Sequence, residues 1–132
     1  MFVAPLNRTI VLRWNRTGIT VAGVTGQYGN ASHLLYNPRG MYMDWSNTMY
    51  ITDYLNNRVQ KYLMGSSVGE TVAGQPSGLR GSGPTFLGSP FDVHSDLDGN
   101  VYVADTGNQR IQLWKRGSST GITIAGTTGI TR

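Results

Sequence analysis

The sequence predicts an all-β chain, a partial β-propeller built of four-stranded antiparallel blades that form an incomplete ring. Three observations carry this reading. Shifted by 52 residues, positions 35–74 align with 87–126 without a gap, and fifteen of the forty pairs are identical. Eighteen glycines among 132 residues, with many Ser and Thr and short runs of Val, Ile and Tyr, suit short strands joined by tight turns, and no segment has helical periodicity. Third, Val101-Tyr102-Val103-Ala104 and Met49-Tyr50-Ile51 are apolar at consecutive positions. That is the pattern of strands covered on both faces, as blades packed face to face require.

Each copy divides into four strands, expected at 39–44, 48–53, 58–63 and 69–74 in the first and at 91–96, 100–105, 110–115 and 121–126 in the second. In the second copy Asp98-Gly99 suits a two-residue hairpin turn, and Thr106-Gly107-Asn108-Gln109 links the next two strands. Upstream, 9–14 and 18–23 are expected as the last two strands of a preceding copy, because Gly18-Ile19-Thr20-Val21-Ala22-Gly23 echoes Gly121-Ile122-Thr123-Ile124-Ala125-Gly126. Glycine-rich connectors follow at 24–34 and 75–86. The expected division is therefore half a blade plus connector (1–34), a blade plus connector (35–86), a blade (87–126) and the start of another connector (127–132), all in one propeller domain. Four strands recurring every 40 to 50 residues or so is propeller spacing. A β-sandwich is the competing fold, but it does not call for an ungapped repeat.

Eleven basic and seven acidic residues give a net charge of +4, and Arg8, Arg13, Arg16 and Arg39 all precede Asp44, the first acid. A basic N-terminal third suits nucleic acid, anionic lipid or acidic protein, yet its cations are not clustered with aromatics, so a solvated strand face is the simpler reading. The absence of cysteine excludes a disulfide framework, a thiolate zinc site and a cysteine nucleophile. No run approaches the eighteen or so apolar residues of a spanning helix, and the N-terminus lacks a signal-peptide pattern. Asn7, Asn15 and Asn30 head glycosylation sequons, little above the number expected by chance. The sequence assigns no compartment.

Pro90-Phe91-Asp92-Val93, followed by the stretch from Asp98-Gly99-Asn100-Val101 to Asn108-Gln109-Arg110-Ile111-Gln112, closely resembles the NHL repeat, and residues 38–60 resemble it more loosely. The first copy departs at Trp45-Ser46-Asn47-Thr48, which lacks the Asp-Gly turn, and at Leu55, where the second has Gly107. The resemblance implies a propeller of usually six blades, used by different relatives for protein contacts, RNA binding, ligand sensing or, in amidating lyases, metal-dependent chemistry. Fold alone does not choose among these. Four blades of this length already need about 200 residues, so the expectation is a fragment of a longer propeller or a chain that assembles with others.

Asp53/Asn56/Arg58 and Asp105/Asn108/Arg110 form the most specific polar constellation. The carboxylate ends one strand and the guanidinium opens the next, so a bidentate pair is expected, with the Asn side chain satisfying turn amides. Recurrence in both copies points to a structural repeat network rather than a site. His94 breaks the repeat by replacing Tyr42 on the strand expected innermost, where the resemblance places channel-facing metal ligands. It has no second ligand beside it, and zinc takes three protein ligands even in an open site. Asp92, Asp96 and Asp98 are dense enough to suggest calcium, but Asp98 belongs to its turn and Asp96 repeats Asp44. RNA binding would rest on Arg39, Arg58, Lys61, Arg80, Arg110, Lys115 and Arg116, most of them accounted for by strand-edge solubility or the aspartate pairs. The reading is a non-catalytic propeller module that mediates protein or ligand interaction, with no cofactor and a protein partner expected. RNA binding or a metal-dependent enzyme fragment are the alternatives, and the isolated chain is expected to self-associate or to need further blades.

Overall fold

The computed structural model describes residues 13–127. Eight strands form two four-stranded antiparallel sheets, each a meander in sequence order. The first contains β1 (Pro38–Met43), β2 (Met49–Asp53), β3 (Arg58–Tyr62) and β4 (Glu70–Gly74), and the second β5 (Asp92–Ser95), β6 (Val101–Asp105), β7 (Arg110–Trp114) and β8 (Gly121–Gly126). Register repeats with the sequence: Asp53 faces Arg58 as Asp105 faces Arg110, and a bulge falls after Val59 as after Ile111. Among the described residues there is no α-helix. The links from β2 to β3 and from β6 to β7 are single 3-10 turns, closed by left-handed Asn57 and Gln109 with φ of 49° and 55°.

The hairpin turns differ from expectation in length but agree between copies. In the second, Asp96 N–H donates to Asn100 O at 3.0 Å and Gly99 N–H to Asp96 O at 3.1 Å, making a three-residue loop that ends on Gly99 at φ +81°. The first copy reaches the same closure without Asp-Gly: Asn47 adopts φ 61° and donates to Asp44 O at 3.0 Å, while Asp44 N–H donates to Thr48 O. Asn tolerates the left-handed region because its short polar side chain bonds locally. In both, the leading aspartate organises the loop. Asp44 Oδ1 accepts from the N–H groups of Ser46 and Thr48, and Asp96 Oδ1 from those of Asp98 and Asn100.

The sheets pack face to face. Tyr50, Val59 and Ala73 of the first meet Leu87, Val93, Val101, Val103 and Trp114 around the second. Burial of one large apolar side chain is worth about 1.5–3 kcal/mol, so this seam is the main force joining the blades. On the far side of the first sheet Leu35, Met49, Ile51 and Tyr62 are buried, with Ala22 packed against them. These four stand 52 residues before Leu87, Val101, Val103 and Trp114, so Ala22 lies against the first blade as Ala73 lies against the second. The stretch 18–23 nevertheless carries no strand, contrary to expectation. Most of the other strand expected there, at 9–14, lies outside the described residues.

Coverage on both faces holds for one blade. Every residue of β2 is buried, whereas β6 alternates between buried and half-buried. Nothing in the described chain lies over the far face of the second sheet, where Ile122 and Ile124 of β8 remain about half exposed. Gly69 and Gly121 recur for a steric reason: a Cβ on Gly121 would lie 2.6 Å from the Trp114 ring, and one on Gly69 2.8 Å from the Tyr62 ring.

Candidate functional site

The aspartate–arginine sets sit at the buried ends of β2–β3 and β6–β7. Asp53 Oδ2 accepts from Arg58 Nε at 2.8 Å and Asn56 Nδ2 at 2.8 Å, while Oδ1 accepts from the backbone N–H of Tyr36 at 2.7 Å. The remaining guanidinium nitrogens reach back to the connectors. Arg58 Nη1 donates to the carbonyls of Asn30 and Pro76, and Nη2 to those of Ala31 and Leu34, over 2.7–3.1 Å. In the second blade Asp105 Oδ2 accepts from Arg110 Nε and Asn108 Nδ2, and Oδ1 from Gly88 N–H. Arg110 donates to the carbonyls of Ser82, Gly83 and Phe86. These three carbonyls stand 52 residues after those of Asn30, Ala31 and Leu34.

This geometry corrects two expectations. The pair makes one contact, not two, because the outer guanidinium nitrogens are occupied by connector carbonyls and the second carboxylate oxygen by a connector N–H. The Asn side chain donates instead of accepting from turn amides: Asn56 Nδ2 bonds Gly29 O at 2.7 Å and Asn108 Nδ2 bonds Gly81 O at 2.8 Å, each also reaching its aspartate. Buried charges persist only when paired and hydrogen-bonded, and here each ion has both. These polar atoms are thus engaged inside the blade.

His94 is exposed on β5, its ring centroid 4.2 Å from that of Tyr42 on β1 at a 39° tilt. The two repeat-equivalent residues thus touch across the blades. His33 is exposed in a connector, and among the described residues no group of three His, Cys, Asp or Glu side chains converges to hold a metal. Asp96 serves its turn, and Asp92 Oδ1 accepts from Val93 N–H. The Asn100 amide beside Asp96 holds its carboxyl below the usual carboxylate range. Burial pushes the Tyr102 hydroxyl up, with the neighbouring Asp96 carboxylate adding to it. Burial likewise raises Tyr62, the Asp53 charge adding and Arg58 opposing.

At the end where the hairpin turns lie, a groove of about 390 Å³ separates the blades, bordered by Asp44, Tyr50, Lys61, Glu70, Trp114 and Arg116. The corresponding groove between 19–23 and the first blade, about 370 Å³, has Ile19, Val21, Met43, Met49 and Met64 instead. Position 64 is methionine where position 116 is arginine, so equivalent clefts carry opposite chemistry.

Sequence reasoning missed a third feature, at the connector end. Tyr28 and Tyr36 stack with centroids 4.5 Å apart, Leu55 donates its N–H to Tyr36 O, and the Arg39 guanidinium lies over the rings of Tyr54 and Phe91 at 5.0 and 5.9 Å. The signal was available in the repeat itself. Where the first copy has Tyr28, Tyr36, Tyr54 and Leu55, the second has Arg80, Gly88, Thr106 and Gly107.

The chain is 33% identical over 113 residues to the NHL repeat-containing protein 3 of Mus musculus, an alignment covering 80% of this chain and 31% of the relative. It is 32% identical over 103 residues to the protein of that name from Homo sapiens, covering 74% of this chain and 28% of the relative. The chain spans about a third of the length of the curated relatives it matches. No protein-family model matches it.

Proposed function

Because the chain belongs to the NHL-repeat family, we propose that it acts as a non-catalytic interaction module, a pair of propeller blades that presents its surface to a protein partner. The observation that carries this reading is the state of the Asp53 and Asp105 networks. The ionisable groups most suited to chemistry are engaged in holding each connector to its blade, which leaves recognition to exposed residues that differ between the copies. The curated relatives also bear the name of a repeat and not of a reaction. On this reading 1–34, 35–86, 87–126 and 127–132 are successive parts of one propeller domain, a fragment of a ring of the usual six blades, whose remaining blades come from further chain or other copies.

A metal-dependent fragment would need a ligand set around His94. Calorimetric titration of the chain with zinc and with calcium tests this, and the expected result is no stoichiometric site tighter than micromolar. A submicromolar zinc site lost in His94→Ala would replace the interaction reading with a catalytic one.

A further inference from the structure

We propose that the connector end of the first blade, a row formed by Tyr28, Tyr36, Leu55, Tyr54, Arg39 and Phe91, is a docking surface for an acidic, extended peptide segment of a partner protein. This deepens the interaction reading above and rests on it. Its members are linked in turn: Tyr28 stacks on Tyr36, the Leu55 N–H donates to Tyr36 O, Leu55 follows Tyr54 in the chain, and Tyr54 and Phe91 lie beneath Arg39. Tyr28, stacked on Tyr36, is 69% exposed and Phe91, beneath Arg39, is 52% exposed, so both rings keep open surface. Pre-stacked Tyr28 and Tyr36, and an arginine set over Tyr54 and Phe91, supply contact area at small entropic cost, the composition enriched at the centres of protein interfaces. Aromatic rows of this kind also suit extended peptides, whose side chains fall between rings.

Charge distribution decides the sign of the partner. Of the seven acids, Asp53 and Asp105 are buried in their networks, and Asp44, Glu70, Asp96 and Asp98 border the groove at the opposite end. Asp92, next to Gly40, is the one acid near the row, and Arg39 and Arg80 are cations of the same end. The groove end sets four carboxylates against Lys61, Lys115 and Arg116, and the row end sets one against Arg39 and Arg80, so an acidic segment meets an excess of cations only here. The same distribution argues against a nucleic acid. Lys61, Lys115 and Arg116 lie around the far groove, apart from Arg39 and Arg80, so these cations do not form the unbroken track that a phosphate backbone follows.

The row is also separable from the fold. Tyr36 holds Asp53 and Leu55 through backbone atoms, so truncating its ring leaves those bonds in place.

The test is selection of a phage-displayed random dodecapeptide library on the full chain, with affinities of the selected peptides measured against Tyr36→Ala, Arg39→Glu and Trp45→Ala variants. Trp45 is 88% exposed in the opposite, hairpin-turn end. The expected result is enrichment of net-negative peptides that lose at least tenfold in affinity to Tyr36→Ala and to Arg39→Glu but not to Trp45→Ala, with thermal unfolding of Tyr36→Ala close to that of the parent. Peptides that bind yet respond only to Trp45→Ala, or that are basic, overturn this site while leaving the interaction reading standing. Selection of no peptide overturns both. Binding of a random-sequence RNA pool that is lost in Tyr36→Ala overturns the peptide assignment in favour of nucleic acid.

Discussion

Arg110 and Asp105 meet through one hydrogen bond, Nε to Oδ2 at 2.8 Å, with both side chains almost completely buried. The same bond joins Arg58 to Asp53. Removing either partner leaves a charge without its counter-ion, a loss of about 3–5 kcal/mol, whereas the second removal costs much less. A double-mutant cycle on Asp105→Ala and Arg110→Ala, read by denaturant unfolding, should therefore show coupling on the order of 1 kcal/mol or more. Additive losses would show that the connector carbonyls, and not the aspartate, hold the guanidinium.

Asn47 carries the left-handed position that Gly99 fills in the other copy. Replacement by Gly should be neutral or slightly stabilising, and replacement by Ala should cost about 1 kcal/mol, since a Cβ is disfavoured there without the local bonding of Asn. Equal effects of the two substitutions, measured by midpoint shifts in urea, would contradict the assigned turn.

Asp96 titrates below the usual range because the Asn100 side-chain amide and backbone N–H groups stabilise its charged form. A depressed folded-state pKa adds stability above the unfolded value, and this contribution is lost as pH falls through the folded value. Asn100→Ala should move the Asp96 titration upward, toward its unfolded value, and so reduce the share of stability that Asp96 loses on acidification. Carboxyl-carbon NMR titration reads the first effect directly, and an unchanged midpoint would remove Asn100 as the cause.

The far face of the second blade is the counterpart of a face that is buried in the first. Val59 and Ala73 are almost fully buried beneath the second blade, while Ile122, Ile124 and Ala125 of β8 are exposed. Apolar faces of stacked repeats call for a neighbour or a polar cap. The isolated chain should accordingly associate in light scattering or bind a hydrophobic dye, and Ile122→Lys with Ile124→Lys should reduce both signals. A compact monomer with cooperative unfolding and no dye binding would speak for a closed two-sheet fold instead.

How much of this was legible in the sequence depends on whether side chains or main chain do the work. The eight strands were readable to within a residue or so at each end, because their apolar runs and the recurring Asp, Asn and Arg are written in side chains. The loops before β2 and β6 were harder. Asp98-Gly99 suggested two residues, but Asp44 and Asp96 each draw in two N–H groups and set the length at three, a role shared by Asp residues whose following letters differ. The ligands of Arg58 and Arg110 were out of reach, because a carbonyl belongs to every residue and leaves no letter behind. The Tyr28–Tyr36 row was written in the sequence, but as a departure from the repeat, and alignment for identity passes over departures.

The grip of each arginine on main-chain oxygens has a consequence for descent after duplication. Residues 30–34 and 82–86 share no identical position, yet the carbonyls of Asn30, Ala31 and Leu34 do for Arg58 what those of Ser82, Gly83 and Phe86 do for Arg110. A substitution in this stretch changes what the surface displays and leaves the anchor untouched, whereas one inserted or deleted residue displaces every ligand together. Duplicated copies are thus free to drift in letter and held fast in length, and new recognition can arise on the connector without loosening the blade beneath it.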